Sequence, residues 1–298
     1  MRLFGKRRYA VLAFALLVLF WGSAFSVVKV GLEYSPPMIF AGLRTLMGGL
    51  VILLVAFVWG GSPHLRRDWP IFLLLAAFNV VFFFGLQTLA ILYLPSGTAA
   101  VLEYLQPMLV GLLAWTILGE SLSLTKIVGL ILGFSGIVAV SSGSIFGNIS
   151  AAGVAFGAGS ALSWALGTVL FKRYEARVST VWAVALPFVI GGVVLTLFGF
   201  ATESRSEVSP TATLLASLSY VSFVEIALAW LIWLGLVRTG EASRVAVYVF
   251  FVPLVSIVVG AVFLDERLTL SLLIGTFLIV IGIYTVNRSS TGKDEHGN

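Results

Sequence analysis

Four ionisable side chains, Lys29, Arg44, Glu103 and Glu225, stand inside runs that are otherwise almost free of charge. At the centre of a membrane helix such a group costs about 2.5–3.5 kcal/mol, so each needs a reason. A carboxyl withdrawn from water could carry a proton or receive a cationic group. It could also simply bond to an amide or hydroxyl on a neighbouring helix, such as Gln87, Gln106 or Ser222. For Glu225 the two readings stand level, while Glu103, one turn before Pro107, reads better as structural. Lys29 falls in the last turns of its run, where a long side chain can snorkel outward, and serves topology. Arg44 lies about 10 Å into its run at the helical rise and reads as one half of a structural pair with a loop carboxylate or carbonyl.

Aromatic and amide residues supply the other candidates. Asn79, Phe83 and Gln87 recur at i, i+4 and i+8, one stripe of a regular helix, and two amides flanking a ring suit an amphipathic solute better than lipid. Tyr104, Trp164 and Tyr248 fall in mid-run and could supply ring walls, and Ser222, Glu225, Ala229 and Trp233 share a face. The expected substrate-binding residues are therefore Asn79, Phe83, Gln87, Tyr104, Trp164, Glu225 and Tyr248. Trp59, Trp69 and Trp182, near run ends, read as interfacial anchors. No catalytic residue, metal or cofactor is expected: cysteine is absent, both histidines (His64 and His296) sit in polar segments, and no H-E-x-x-H, G-x-S-x-G or phosphate-loop string occurs.

The elements that must hold these residues follow from composition. The chain of 298 residues is 59% hydrophobic and 10% charged, against about 25% charged in a soluble domain, and its mean hydropathy is +1.08. Runs such as "SLLIGTFLIVIGIYTV" approach or exceed the ~20 residues needed to cross a bilayer. Ten candidate spans lie near 10–31, 37–59, 70–93, 97–118, 123–142, 149–172, 180–200, 213–237, 243–264 and 269–287. The net charge of +5 does not point to nucleic acid, because the basic residues sit in short loops. With the N-terminus inside, only Arg205 and Arg267 fall in outer loops and only Lys29 and Arg44 within spans. The excess on the inner side places both termini in the cytoplasm, in an inner or plasma membrane, with the lipid bilayer as a partner.

The sequence also repeats itself. "LQPMLVGLLAWTILGESL" and "FVPLVSIVVGAVFLDERL" share a proline followed thirteen positions later by a glutamate. A shift of 146 aligns Pro107 with Pro253, Glu120 with Glu266, Gly129 with Gly275 and Gly136 with Gly282, and a shift of 143 aligns Trp21 with Trp164 and Gly48–Gly49 with Gly191–Gly192. Two halves of five spans each must enter the membrane in opposite senses, an inverted-topology repeat. The expectation is an all-α polytopic membrane protein: residues 10–145 form the first five-helix repeat, 149–287 the second, and 288–298 a disordered cytoplasmic tail. Glu120 and Glu266 then lie on opposite faces, each favouring the start of the helix that follows it. Pro107 and Pro253, deep in spans four and nine, are candidate hinges.

The stretches "FWGSAFSVVKVGLEYSPPMIFAGLR" and "PSGTAAVLEYLQPMLVGLLAWTILGESLSLTKIVGLILGFSGIVAV", with their second copy "TGEASRVAVYVFFVPLVSIVVGAVFLDERLTLSLLIGTFLIVIGI", resemble the EamA-type branch of the drug/metabolite transporter superfamily over residues 10–287. Overall the chain is most similar to YddG-type aromatic amino-acid exporters. Arg44 matches the family's second-helix arginine, but its counterpart in the second half is Pro187. The resemblance implies a secondary transporter that exports small amphipathic metabolites, aromatic or neutral amino acids foremost, by alternating access around a midplane cavity. Organic cations or other metabolites are the alternative cargo.

Overall fold

The computed structural model describes residues 7–119, 124–145, 149–238 and 251–291. Among them every regular element is a helix. Helix α1 spans Arg7–Gly31 and α2 spans Pro37–Trp59. Helix α3 (Leu65–Ala76) runs through a π-helical segment, Ala77–Phe82, into α4 (Phe83–Tyr93). Then come α5 (Ser96–Glu103), α6 (Gln106–Leu118), α7 (Leu124–Ile145), α8 (Ala151–Tyr174) and α9 (Trp182–Thr202). Helix α10 (Ala212–Ser219) passes through a second π-helical segment, Tyr220–Leu228, into α11 (Ala229–Arg238). Helices α12 (Phe251–Phe263) and α13 (Leu270–Thr291) complete the described chain. The last helix runs past the expected end at 287, and the tail from 292 onward lies outside the described residues, as does Glu120.

Among the described residues, seven stretches, with α5 and α6 taken together as one, are long and apolar enough to cross a membrane, and three further apolar stretches, Ile127–Gly136, Phe251–Phe263 and Leu270–Gly282, are shorter. Leu54, Val58, Leu197, Val262 and Phe277 point outward on this surface, which suits lipid rather than water. The chain is a polytopic helical membrane protein.

Two antiparallel helix pairs tie the chain together through small residues, which let helix backbones approach closely in a bilayer. In the α2–α9 pair, Gly49 closes on Phe188 and Gly192 on Leu46. In the α7–α13 pair, Gly136 closes on Gly275 and Ile279, and Gly282 on Gly129 and Gly133. The second pair is reciprocal: moving each contact by the 146-residue repeat turns one into the other. The π-helical segments begin at Ala77 and Tyr220, an offset of 143, which is the other repeat shift. Each has a carbonyl taken by a side chain from another helix: the Ser163 hydroxyl donates to Phe78 O at 2.7 Å, and the Trp21 indole to Glu225 O at 3.2 Å. Such bonds meet the demand for internal partners within a membrane.

The ends of the bundle are closed by polar clusters. At one end Glu266 accepts from Ser96 N (2.7 Å), Ser96 Oγ (2.9 Å) and Gly97 N (3.3 Å) and pairs with Lys29 Nζ at 3.1 Å. Lys29 also donates to Leu94 O at 2.7 Å. This corrects two expectations. Glu266 caps α5, in the other half of the chain, while the helix after it is capped by Thr269 through Leu272 N. Lys29 turns inward to that cap instead of snorkelling away. At the same end Glu203 accepts from Met38 N and Ile39 N, both at 2.8 Å, and so caps α2. At the other end Asp68, fully buried, accepts from Arg67 (2.9 and 3.0 Å) and Arg177 (3.2 Å). Trp182 is buried there, with its indole donating to Gly61 O at 2.8 Å; it is a packing residue and not the interfacial anchor its position suggested. Replacing Glu266 by alanine removes four partners at once and is expected to lower stability by about 2 kcal/mol, the upper end for a lost helix cap. A melting temperature in detergent equal to wild type would contradict this role.

Span four is also not one kinked helix. It breaks at Tyr104–Leu105, where α5 ends and α6 begins, and Pro107 falls in the first turn of α6. There its missing N–H is no loss. Pro253 stands near the start of the described part of α12.

Candidate functional site: a charged cluster inside an aromatic cavity

Arg44 is the hub. It sits seven residues into α2, roughly 10 Å from that end at the helical rise, and is fully buried. Its Nη2 donates to Gln87 Oε1 at 2.6 Å and to Thr88 Oγ1 at 3.0 Å, both on α4. Its Cζ stands 4.9 Å from the centroid of the Phe84 ring, within range of a cation–π contact. Gln87 passes the chain on, donating from Nε2 to Glu103 Oε2 at 2.6 Å at the end of α5. Across the cavity, Glu225 on the second π-helical segment brings Oε2 to 3.6 Å from Arg44 Nη1. That is an ion pair but longer than a hydrogen bond. Arg44 therefore pairs with a carboxylate from the second half and with a helix-borne amide, rather than with the loop group expected from sequence. Glu103, expected to be structural, does bond to Gln87 as that reading proposed, but it does so inside the cavity lining.

Aromatic rings enclose this cluster. Tyr104 and Trp164 meet edge-on at 6.0 Å, and Trp164 stacks obliquely on Phe83 at 5.2 Å. Phe83 meets Phe84 at 4.6 Å, Phe84 meets Phe188 at 5.5 Å, and Phe188 meets Trp230 at 5.2 Å. Trp21 completes the run, 6.0 Å from Trp230 and 5.7 Å from Trp233. The cavity between them is about 30 Å³, room for a water or two and far below the ~300–1,000 Å³ of pockets that hold drug-sized ligands. In this conformation the walls are drawn in on the ion pair.

Of the residues singled out from sequence, Phe83, Gln87, Tyr104, Trp164 and Glu225 line this one cavity. Asn79 does not. The i, i+4, i+8 stripe assumes a regular helix, and the π-helical turn at Ala77–Phe82 breaks that register between Asn79 and Phe83. The Asn79 carboxamide instead packs against Gly167 of α8, where it occupies the space a Cβ would need. Tyr248 lies outside the described residues. Trp21, Phe84 and Trp230 line the cavity as well and went unassigned. The repeat held a signal for two of them: Trp21 is the 143-residue mate of Trp164, and Trp230 the mate of Gln87.

The fold and the site together define an integral membrane protein that encloses a charged, aromatic-walled cavity within its helices. Both halves of the chain match one family profile, the EamA-like transporter family, over residues 8–142 and 151–288. The chain belongs to that family, within the drug/metabolite transporter superfamily, and is accordingly a transporter rather than an enzyme. It is 47% identical over 288 residues to the Bacillus subtilis (strain 168) protein named Uncharacterized transporter YvbV, covering 97% of this chain and 94% of that one. It is 30% identical over 291 residues to an Escherichia coli (strain K12) protein named Probable amino-acid metabolite efflux pump, covering 94% of each. A crystal structure at 21% identity superposes with a TM-score of 0.69 over 96% of this chain and 99% of the other, a likeness of fold alone.

Proposed function

We propose that this transporter exports small amphipathic metabolites, aromatic or neutral amino acids foremost, by alternating access. In this reading two inverted five-helix halves, 10–145 and 149–287, rock about the Arg44 cavity. The observation that carries the proposal is the cavity itself, with fixed charges of both signs at its centre and rings on its walls. An amino acid with a large side chain has the same plan. The reciprocal glycine contacts and the paired π-helical segments support the inverted arrangement, as does the odd number of spans per half. The break at Tyr104–Leu105 supports a hinge next to Pro107, with Pro253 as its partner in the second half. The basic residues of the inner loops favour cytoplasmic termini in an inner or plasma membrane. The Escherichia coli relative is named Probable amino-acid metabolite efflux pump, which adds weight to the direction and the cargo.

A second reading keeps transport and changes the cargo. Two carboxyls, Glu103 and Glu225, face one arginine in the cavity, and an organic cation would use the surplus. Cells expressing the protein and fed a phenylalanine-containing dipeptide are expected to release phenylalanine faster than cells with an empty vector. Unchanged release beside accelerated loss of a methylated cation would transfer the function to the second reading.

A further inference from the structure

We infer that Arg44 and Glu225 are the two poles of the substrate site, and that the ion pair between them is a resting contact that an amino-acid zwitterion replaces. The substrate carboxylate pairs with the Arg44 guanidinium, and the substrate ammonium takes the Glu225 carboxylate. This rests on the amino-acid reading above and deepens it to named atoms.

Unused hydrogen-bonding capacity is the first ground. Among the described residues, the buried side-chain nitrogen and oxygen atoms without a partner are Arg44 Nε, Glu225 Oε2 and Ser222 Oγ. Buried polar atoms in native proteins are almost always bonded. Here two of the exceptions, an arginine donor and a carboxylate oxygen, belong to residues that line the one cavity, and the third is the Ser222 hydroxyl on the same π-helical segment as Glu225. Arg44 and Glu225 have side chains only 1% and 7% exposed, yet they stand at 3.6 Å and do not close to a hydrogen bond.

The second ground is that the arginine does not need Glu225 to hold its position. Gln87, Thr88 and the Phe84 ring fix the guanidinium from α4. Its Nε–H has no partner and its Nη1 faces only Glu225, so each is a single donor that an incoming carboxylate can take. Glu103 is already committed to Gln87, which leaves Glu225 as the group free to exchange. Glu225 also stands on a π-helical segment, a local irregularity that recurs at functional sites. A simple amine would satisfy Glu225 and leave Arg44 unpaired. A simple carboxylate would do the reverse. A zwitterion satisfies both, and its side chain falls among Trp21, Phe83, Trp164 and Trp230.

The test uses purified full-length protein and three probes of one shape: phenylalanine, phenethylamine, which lacks the carboxylate, and 3-phenylpropionate, which lacks the ammonium. Binding is read as thermal stabilisation, independent of transport. Wild type is expected to need at least about tenfold more of either analogue than of phenylalanine for the same shift, as when a missing group strands a buried partner. Glu225→Gln is expected to erase the discrimination against 3-phenylpropionate while keeping that against phenethylamine, and Arg44→Lys to relax the second more than the first. Equal stabilisation by all three probes, stabilisation by phenethylamine alone, or no shift with any would overturn the inference. So would a loss of discrimination that is the same for both analogues in both variants, the pattern of a merely structural pair. If a variant fails to give monodisperse protein, the wild-type series alone decides. Phenylalanine that binds with this pattern but is not exported would sink the amino-acid export reading and leave this one standing.

Discussion

Replacing Arg44 by methionine is expected to abolish transport and to cost about 3–5 kcal/mol of stability, the usual toll of leaving a buried charge without its partner. Glu225 would lose its ion pair and Gln87 one of its two side-chain partners, all within a cavity that admits little water. The double variant Arg44→Met/Glu225→Leu is expected to recover most of that stability, because a well-packed apolar pair is often as stable as the ion pair it replaces. It should not recover transport. Melting temperatures and flux in the two singles and the double give the full cycle. Stability and flux falling and rising together would mean that the pair serves folding alone.

The second large effect is expected at Gly192, where the two halves cross. A Cβ there would stand 2.5 Å from Leu46 N and 2.7 Å from its Cα, in the backbone of the facing helix. Backbone cannot give way as a flexible side chain can, so α2 and α9 must separate. Gly192→Val is expected to cost at least the ~1–3 kcal/mol of an overpacked core, seen as loss of the monodisperse peak and of most folded yield. Gly85→Ala is the control. Its Cβ would meet Leu195 Cδ2 at an ordinary 3.5 Å, and alanine favours the helix, so folded yield should be unchanged. Equal tolerance at both sites would contradict the close crossing.

Span positions were legible because hydropathy acts locally: α2 spans Pro37–Trp59, the bounds read from sequence. The repeat was legible because prolines and glycines hold their spacing across both copies. The π-helical turns were not. Neither "AFNVVF" nor "YVSFVEIAL" contains a proline or glycine to mark a change of helical register, and Asn79 was misplaced for that reason. Partner choice was also hidden, since Glu266 finds Ser96, and Arg44 finds Glu225, only through packing between distant segments. The site was half legible. Gln87, Phe83 and Trp164 announce themselves as amide and rings in mid-span, whereas Trp21 and Trp230 required carrying the repeat shift over to the cavity.

In the proposed function an amino acid passes through the cavity built on Arg44, Gln87 and Glu225. Counterflow tests it most directly: proteoliposomes preloaded with unlabelled phenylalanine are placed in labelled phenylalanine with no imposed ion gradient. Wild type is predicted to accumulate label transiently. Gln87→Ala, which removes the amide joining Arg44 to Glu103, is predicted to do so at least about tenfold more slowly, in line with a lost hydrogen bond to a charged group. No uptake by well-folded wild-type protein, or uptake that Gln87→Ala leaves unchanged, would contradict the account.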